Sequence, residues 1–237
     1  MGTVVSFDVP AWTAAAGDDG ALSQVLRWLH WVDATFSPYR AGSDVSRYGR
    51  GEVPLTGCVP ELAEVLEACA EVSERSGGYF TATPGGHLDP SGYVKGWAIE
   101  RAASMLTAAG SQEHSVNGGG DVQCAGRRRW RIGIADPLRR GQLALVVAGR
   151  DFAVATSGTA ERGAHIVDPH TGRAAAGLAS ITVVGPGLTL ADAYATAAFA
   201  MGSRARDWVE GLDGYEAFAI TPAGATWQTT GFGAYLD

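Results

Sequence analysis

The chain has 237 residues, of which 46% are hydrophobic and 18% are charged, and its formal net charge is −7. This composition indicates a folded globular protein and excludes a disordered or fibrous one. The acidic balance argues against nucleic acid as a partner, because phosphate binding favours a basic surface. The short basic run at 127–129 is interpreted as a solvated hairpin corner.

The cysteines and the N-terminus bear on where the protein acts. Cys58, Cys69 and Cys124 are odd in number and show no metal-type clustering, which predicts reduced packing residues. Residues 1–10 lack the basic and apolar regions of a signal peptide, and no apolar run has the length of a membrane span. We therefore expect a cytoplasmic protein with no membrane span.

Apolar periodicity predicts the secondary structure in chain order. An opening strand is predicted over 3–9, and Ser43 begins a short capped turn or helix. Longer helices are predicted at about 20–35, from Pro60 to Gly77, at 97–109 and at about 190–201, with a short one at 208–212. Short strands are predicted around 116 and at 130–135, 143–148, 152–155, 165–167, 180–184, 217–221 and 226–230. This mixture predicts an α+β fold that forms one domain over 1–237.

A carboxylate and a hydroxyl share one face of a predicted helix. Asp192 and Thr196 are four residues apart, and small residues surround them, so a ligand could approach closely. These oxygen ligands suit Mg²⁺, which uses few protein ligands. The alternative is that Asp192 caps the helix and Thr196 bonds back to the chain.

His165 and Asp168 lie around the end of a predicted strand. Strand alternation directs their side chains to opposite faces, which predicts that they do not form a bonded dyad. His165 is a candidate general base or phosphate donor. Asp168 is interpreted as a turn-forming residue before Pro169.

Glycine-containing segments could bind a ligand through the main chain. Residues 117–121 (Asn-Gly-Gly-Gly-Asp) permit positive φ, but they fit neither G-x-G-x-x-G nor a Walker motif. Residues 89–96 predict a turn with Lys95 at the start of a helix, which favours an anion; the alternative is a surface turn with a solvated lysine. Tyr39 could stack on a ring system or pack in the core.

Taken together, these motifs resemble the ApbE-type flavin transferase family, the FAD:protein FMN transferases. The matching segments are 1–3, 36–39, 43–47, 77–80, 89–96, 116–121, 155–158, 165–172 and 191–202. The resemblance implies a single compact α+β domain of antiparallel sheets with flanking helices. The implied activity is Mg²⁺-dependent transfer of FMN from FAD to a Thr or Ser hydroxyl of an acceptor protein that carries a flavinylation motif, with release of AMP. Mn²⁺ is the alternative metal.

The resemblance also implies roles for individual residues. Asp192 and Thr196 would hold the metal, with the carbonyl of Gly92 as a third ligand. His165 would lie near the reacting phosphate and act as the base for the acceptor hydroxyl. The implied FAD contacts are Met1, Tyr39, Tyr79, Phe80, Thr81, Asp89, Lys95 and Ile166.

The chain departs from the family pattern after Phe80. Family members carry an aspartate–proline motif there and then a long stretch before the lysine motif, whereas here residues 81–84 lead almost directly to the lysine block. The domain is therefore shortened, and a segment that would cover part of the flavin is missing. FAD would bind more openly, or a partner would complete the site.

Two other activities remain as hypotheses. With water in place of the acceptor, the same site would be an FAD pyrophosphatase that yields FMN and AMP. A non-catalytic FAD-binding protein is the third hypothesis. Self-flavinylation has little support, because Ala223 replaces the acidic residue of the acceptor motif before Gly224 and Thr226.

Overall fold

The computed structural model describes residues 3–10, 19–159 and 166–237. Its helices are α1 (Asp19–Phe36), α2 (Asp44–Gly49), α3 (Pro60–Arg75), α4 (Ser91–Ala108), α5 (Leu188–Met201) and α6 (Ala205–Glu210). Its strands are β1 (Val5–Asp8), β2 (His114–Gly118), β3 (Asp121–Ala125), β4 (Trp130–Ala135), β5 (Leu143–Gly149), β6 (Ala153–Gly158), β7 (Val167–Asp168), β8 (Arg173–Ala174), β9 (Ser180–Gly185), β10 (Glu216–Ile220) and β11 (Thr226–Gln228). The predicted α+β class is confirmed.

One large antiparallel sheet organises the described residues. Its strands run in the order β1-β2-β3-β6-β9-β10-β11, while β4 pairs with β5 and β7 with β8 in two smaller ladders. Alternation along each strand divides the apolar side chains between two faces. In β6, for example, Ala153 and Ala155 pack on one face and Val154 on the other.

The two faces are covered by different elements. Helices α4 and α5 pack on one face, and α1 lies against α4. The β4–β5 hairpin and the C-terminal turn Thr230–Tyr235 cover the other face, around Trp130, Ile134 and Phe232. None of the helices in the described ranges is both long and apolar enough to cross a bilayer.

Helix α1 is attached to α4 by aromatic side chains. Its periodic apolar residues Val25, Leu29 and Val32 are buried, as the pattern predicts. The indole N–H of Trp28 donates to the carbonyl of Ala98 at 3.0 Å. Ring contacts with centroid distances of 4.9–5.9 Å join Trp28, Trp31, Phe36 and Trp97.

Several predicted boundaries are confirmed. The hydroxyl of Ser43 accepts the amide of Ser46 at 3.1 Å and caps α2. Helix α3 has Pro60 in its first turn and ends just before Gly77, whose φ is +62°. The basic run at 127–129 is exposed, and the guanidinium of Arg128 lies 4.4 Å from the ring centroid of Trp130. It forms a solvated corner between the large sheet and the β4–β5 hairpin.

Two local predictions are wrong. Helix α4 begins at Ser91 rather than at Trp97, so Lys95 lies in the second turn of the helix instead of at its start. Glycine disfavours helices, and Gly92 and Gly96 conceal this first part of α4 from propensity arguments. Strand β3 was not predicted, because four of its five residues are buried and no alternation marks it.

Candidate active site

Helices α4 and α5 approach each other closely at Gly96. A Cβ atom built on Gly96 would lie 2.5 Å from the carbonyl oxygen of Leu188 and 2.9 Å from the Cβ of Asp192. No side chain fits in that space, so glycine is required for the close approach. The contact brings Lys95, the residue before Gly96, next to Asp192.

Asp192 is 3% exposed, and both of its carboxylate oxygens are engaged by α4. Oδ2 accepts the backbone N–H of Gly96 at 2.9 Å, and Oδ1 accepts Lys95 Nζ at 3.0 Å. Each carboxylate oxygen can accept more than one partner. The carboxylate is therefore fixed in orientation and keeps the capacity to bind a cation.

The capping alternative for Asp192 is wrong. Helix α5 begins at Leu188, and Asp192 lies in its second turn. The amide of Leu188 donates to Gln123 Oε1 at 2.9 Å, and the amide of Thr189 donates to Glu100 Oε2 at 2.7 Å. These side chains accept two of the four free amides of the first turn, and the carboxylate of Asp192 contacts α4 instead of capping its own helix.

Lys95 contacts a second buried carboxylate, that of Asp121. Asp121 is 1% exposed, and its Oδ2 forms an ion pair with Lys95 Nζ. Its Oδ1 accepts the backbone N–H of Thr156 at 2.9 Å. One ammonium group thus lies between Asp121 and Asp192. No local pattern in the sequence predicts this pairing, because it depends on the packing of β3 against α4.

The segment 117–121 is a hairpin turn rather than a nucleotide loop. Gly119 and Gly120 connect β2 to β3 with φ values of +63° and +93°. The Oδ1 atom of Asn117 accepts the amide of Gly120 at 3.0 Å. The turn places Asp121 at the first position of β3, where its side chain faces α4.

Thr196 and Gly92 lie together at the same helix contact. Thr196 is half-buried, one turn after Asp192, and a Cβ atom on Gly92 would lie 3.4 Å from its Oγ1. In a regular helix the N–H of Gly96 would donate to the carbonyl of Gly92, but Asp192 Oδ2 competes for this donor. The structure therefore brings the three residues of the predicted metal site, Gly92, Asp192 and Thr196, into one neighbourhood.

The chemistry of these donors fits a magnesium ion. In the described part of the chain, no three or more His, Cys, Asp and Glu side chains are grouped so that they could hold a metal. The predicted set is of another kind, with one carboxylate, one hydroxyl and one carbonyl oxygen. Mg²⁺ prefers such oxygen donors and takes its other ligands from water or phosphate.

Aromatic residues predicted to contact FAD differ in exposure. Tyr39 is 89% exposed, so the alternative that it packs in the core is wrong. Phe80 is buried in the core, and its ring packs against Gly92 in the first turn of α4. Tyr79 is half-buried, with the ring of His170 at 4.5 Å and the guanidinium of Arg204 at 5.0 Å from its own centroid.

The polar residues predicted to contact FAD lie at the entrance to α4. Asp89 Oδ1 accepts the amide of Ser91 at 3.0 Å, which fixes the first turn of the helix. The hydroxyl of Thr81 accepts the amide of Thr83 at 3.0 Å. The chain between Thr81 and Ser91 is therefore a short connection from the end of α3 to α4.

Part of the predicted site lies outside the described residues. Met1 and His165 belong to this part. Ile166, the next residue, is half-buried, and its carbonyl accepts the amide of Ala175 at 2.8 Å. Asp168 accepts the amide of His170 at 2.9 Å and the hydroxyl of Thr171 at 3.0 Å, which confirms its interpretation as a turn-forming residue.

The chain forms an α+β domain, with one large antiparallel sheet and helices packed on one of its faces. Its polar site is the charged cluster at the contact between α4 and α5. The model of the ApbE family matches residues 1–86 and 81–219. The chain therefore belongs to the ApbE family. The two matches meet at 81–86, where the sequence predicts a shortened segment.

Similar proteins have been named in several organisms. An FAD:protein FMN transferase of Rhodobacter capsulatus is 37% identical over 139 residues, which are 54% of this chain and 26% of that protein. One of Treponema pallidum is 36% identical over 143 residues, which are 51% of this chain and 40% of that protein. The chain thus spans between a quarter and two fifths of these relatives.

Solved structures share the fold. An ApbE protein of Thermotoga maritima has a TM-score of 0.86 at 23% identity and covers 100% of this chain and 96% of its own. The flavin transferase ApbE of Vibrio cholerae has a TM-score of 0.85 at 21% identity, again over 100% of this chain and 96% of its own. At these identities the likeness shows the fold.

Proposed function

We propose that this chain is an FAD:protein FMN transferase. It would transfer FMN from FAD to a Thr or Ser hydroxyl of an acceptor protein and release AMP, with Mg²⁺, or alternatively Mn²⁺, as the metal. Membership of the ApbE family and the names of the relatives support this activity. The observation that carries the proposal is the position of Lys95 and Asp192 beside Thr196 and Gly92.

The carboxylate of Asp192, the hydroxyl of Thr196 and the carbonyl of Gly92 would hold the metal. When bound, Mg²⁺ supplies positive charge that offsets the negative charge developing on the pyrophosphate oxygens. Asp192 needs no rearrangement for this, because the amide of Gly96 already fixes Oδ2. Such preorganised groups stabilise developing charge more than mobile groups do.

Lys95 would bind a phosphate oxygen of FAD. Its side chain is 19% exposed, so the ammonium can reach a ligand at the surface while two carboxylates hold it. Tyr39 offers an exposed ring face for stacking. The remaining proposed FAD contacts are Met1, Tyr79, Thr81, Asp89 and Ile166. Phe80 would contribute through its main chain, because its ring is buried in the core.

His165 would take the proton of the acceptor hydroxyl on a ring nitrogen. The hydroxyl oxygen would form a bond to the FMN phosphorus while the bond to the AMP oxygen breaks. A histidine suits this task because a ring nitrogen of the neutral imidazole can accept a proton. The assignment is supported by the motif that His165 shares with the family.

Hydrolysis of FAD is the second candidate function. The observation that favours it is the division of the family match into two parts that overlap at 81–86, together with the exposure of Tyr39. A flavin that is covered less by protein is more accessible to water. Water would then attack the same phosphorus, and FMN and AMP would be the products.

The test is incubation of the purified chain with FAD and Mg²⁺, with and without an acceptor domain that carries the flavinylation motif. Chromatography follows AMP, and mass spectrometry follows the FMN adduct. AMP that depends on the acceptor and matches the adduct supports the transferase. AMP without acceptor indicates the pyrophosphatase, and bound FAD without AMP leaves a flavin-binding protein.

Two variants show whether the turnover belongs to this site. Asp192→Asn should abolish AMP formation, because the amide cannot replace the negative ligand. Asp136→Asn is the matched control: Asp136 is also buried, but it lies after β4 and accepts the amide of Leu138 at 2.9 Å. It should keep the activity of the original chain.

A further inference from the structure

Asp121 connects three elements of the fold through one carboxylate. It is the first residue of β3, directly after the Gly119–Gly120 turn. The β3–β6 ladder pairs Val122 with Val154 and Gln123 with Ala153. Just beyond it, Asp121 Oδ1 accepts the amide of Thr156 on β6, at 2.9 Å. Oδ1 therefore accepts a backbone N–H of the neighbouring strand, and Oδ2 faces Lys95 on α4.

The other oxygen, Oδ2, is buried against Lys95. Among the described residues, the Lys95 ammonium is its one polar contact, and no neutral donor satisfies it. A buried carboxylate without a counter-charge is strongly unfavourable. The long side chain of Lys95 is intrinsically flexible, so this ion pair restricts where its ammonium can lie.

We propose that Asp121 is a positioning residue of this site. It holds the Lys95 ammonium beside Asp192, and it supplies a second negative charge that allows a divalent cation to bind Asp192 at the same time. The inference rests on the metal site of the proposed function. The resemblance assigns no role to Asp121.

The charges of these three groups explain the effect. Asp121, Asp192 and Lys95 together carry one net negative charge when all are ionised. Without Asp121, the ammonium neutralises Asp192, and a divalent cation must compete with that ion pair for the carboxylate. Replacement of Asp121 by asparagine removes one negative charge close to the metal position, whatever else contacts Asp192.

The direct test is calorimetric titration of the full chain with Mn²⁺, without FAD or acceptor. In Asp121→Asn, the amide oxygen can still accept the N–H of Thr156, so the charge is lost and the strand contact is kept. Residues that orient a metal ligand typically change metal affinity about 10- to 100-fold, and we expect the dissociation constant to rise by that factor. An unchanged dissociation constant overturns the proposal.

Asp136→Asn is the matched control for this experiment. Asp136 is also buried, accepts backbone amides and pairs with a cation, the guanidinium of Arg139 at 2.7 Å. It belongs to the β4–β5 hairpin, on the opposite face of the sheet from α4 and α5. Its replacement should leave the Mn²⁺ affinity unchanged.

A charge-compensating variant separates positioning from a merely structural role. In Asp121→Asn/Lys95→Gln, both the carboxylate and the ammonium are neutral, so the three positions again carry one negative charge. We expect Mn²⁺ affinity to recover towards that of the original chain. The charge argument would be contradicted if the double variant bound Mn²⁺ as weakly as Asp121→Asn does while the two variants had the same thermal unfolding temperature.

Lys95→Gln alone keeps the proposal testable if Asp121→Asn does not fold. Loss of the ammonium leaves the site more negative, so Mn²⁺ should bind more tightly, and weaker binding overturns the inference. If the original chain binds no Mn²⁺, the metal site fails together with this inference. FAD turnover is measured separately, so a failure of Asp121 alone is distinguished from a failure of the proposed function.

Discussion

The backbone N–H of Gly96 donates to Oδ2 of Asp192 at 2.9 Å. The contact between α4 and α5 therefore fixes the orientation of the carboxylate as well as the packing of the two helices. An N–H donor to a charged acceptor forms a stronger hydrogen bond than one to a neutral acceptor. A change in the spacing of the helices should consequently alter both stability and the site.

Gly96→Ala tests this dependence. In an open helix, alanine is more favourable than glycine by about 1 kcal/mol. Here its Cβ would lie 2.5 Å from the carbonyl oxygen of Leu188, and overpacking of this kind typically costs about 1–3 kcal/mol. We expect a net loss in the free energy of unfolding, measured by urea denaturation, and weaker binding of Mn²⁺.

Gly42→Ala is the control for Gly96→Ala. A Cβ atom on Gly42 meets nothing within 4 Å, so the substitution should change the free energy of unfolding by less than about 0.5 kcal/mol. If Gly96→Ala were as stable as this control, the close helix contact would not limit the residue at position 96.

Elements with a clear local period could be predicted from the sequence. Helix α1 repeats Val25, Leu29 and Val32 on its buried face, and Ser43 and Pro60 mark the starts of α2 and α3. The first part of α4 could not be predicted, because its glycines are selected by contact with α5 rather than by helix propensity. Tertiary packing overrides the local signal there.

In the candidate site, too, local features could be predicted from the sequence and tertiary contacts could not. The spacing of Asp192 and Thr196 is local, so their common face could be predicted. The pairing of Lys95 with Asp121 could not, because it joins a helix to a strand through the folding of the sheet. The resemblance, rather than periodicity, pointed to the carbonyl of Gly92, and the structure places residue Gly92 next to Thr196.

The stability of the fold should depend on the protonation of His114. This side chain is buried, with Nε2 at 2.9 Å from the carbonyl of Ala103 and Nδ1 at 3.0 Å from the hydroxyl of Ser111. A carbonyl only accepts, so Nε2 carries the proton and Nδ1 accepts the Ser111 hydroxyl. Burial lowers the pKa of His114, although the hydrogen bond to Ala103 opposes this shift.

The direction of the pH effect follows from this lowered pKa. Above the unfolded pKa of about 6.5, neither state binds the proton and stability is full. As the pH falls below about 6.5 towards the folded pKa, the unfolded chain takes up a proton that the folded protein does not, so stability falls. The side chain of His114→Gln can still donate to the carbonyl of Ala103, but it does not titrate. Between about pH 7.5 and about pH 5.5, on either side of the unfolded pKa of about 6.5, the unfolding temperature of this variant should fall less than that of the original chain. Equal pH profiles would rule out this contribution.

The three cysteines should react at very different rates. Burial raises the pKa of Cys69 and of Cys124 to about 12. At pH 8, a thiol with a pKa of about 12 is ionised to only about one part in 10⁴. Burial also raises the pKa of Cys58, but this side chain is only partly buried.

Iodoacetamide labelling of the folded protein, followed by peptide mass spectrometry, checks these differences. We expect Cys58 to be labelled first in the folded protein. Cys69 and Cys124 should reach the labelling rate of Cys58 only in denaturant. Labelling of Cys124 as fast as Cys58 in the folded protein would contradict the burial of β3 between the two layers.

Thr196 allows the metal ligand to be separated from the packing of α5. Thr196→Val removes the hydroxyl and keeps the shape of the half-buried side chain, so the unfolding temperature should change little. Loss even of a residue that orients a metal ligand costs about 10- to 100-fold in affinity, so loss of the ligand itself should weaken Mn²⁺ binding at least as much. Thr196→Ser keeps the hydroxyl and should retain most of the affinity. Calorimetric titration of both variants decides the matter. Equal weakening in Thr196→Ser and Thr196→Val would contradict the assignment, because the retained hydroxyl of Thr196→Ser would then not preserve the affinity.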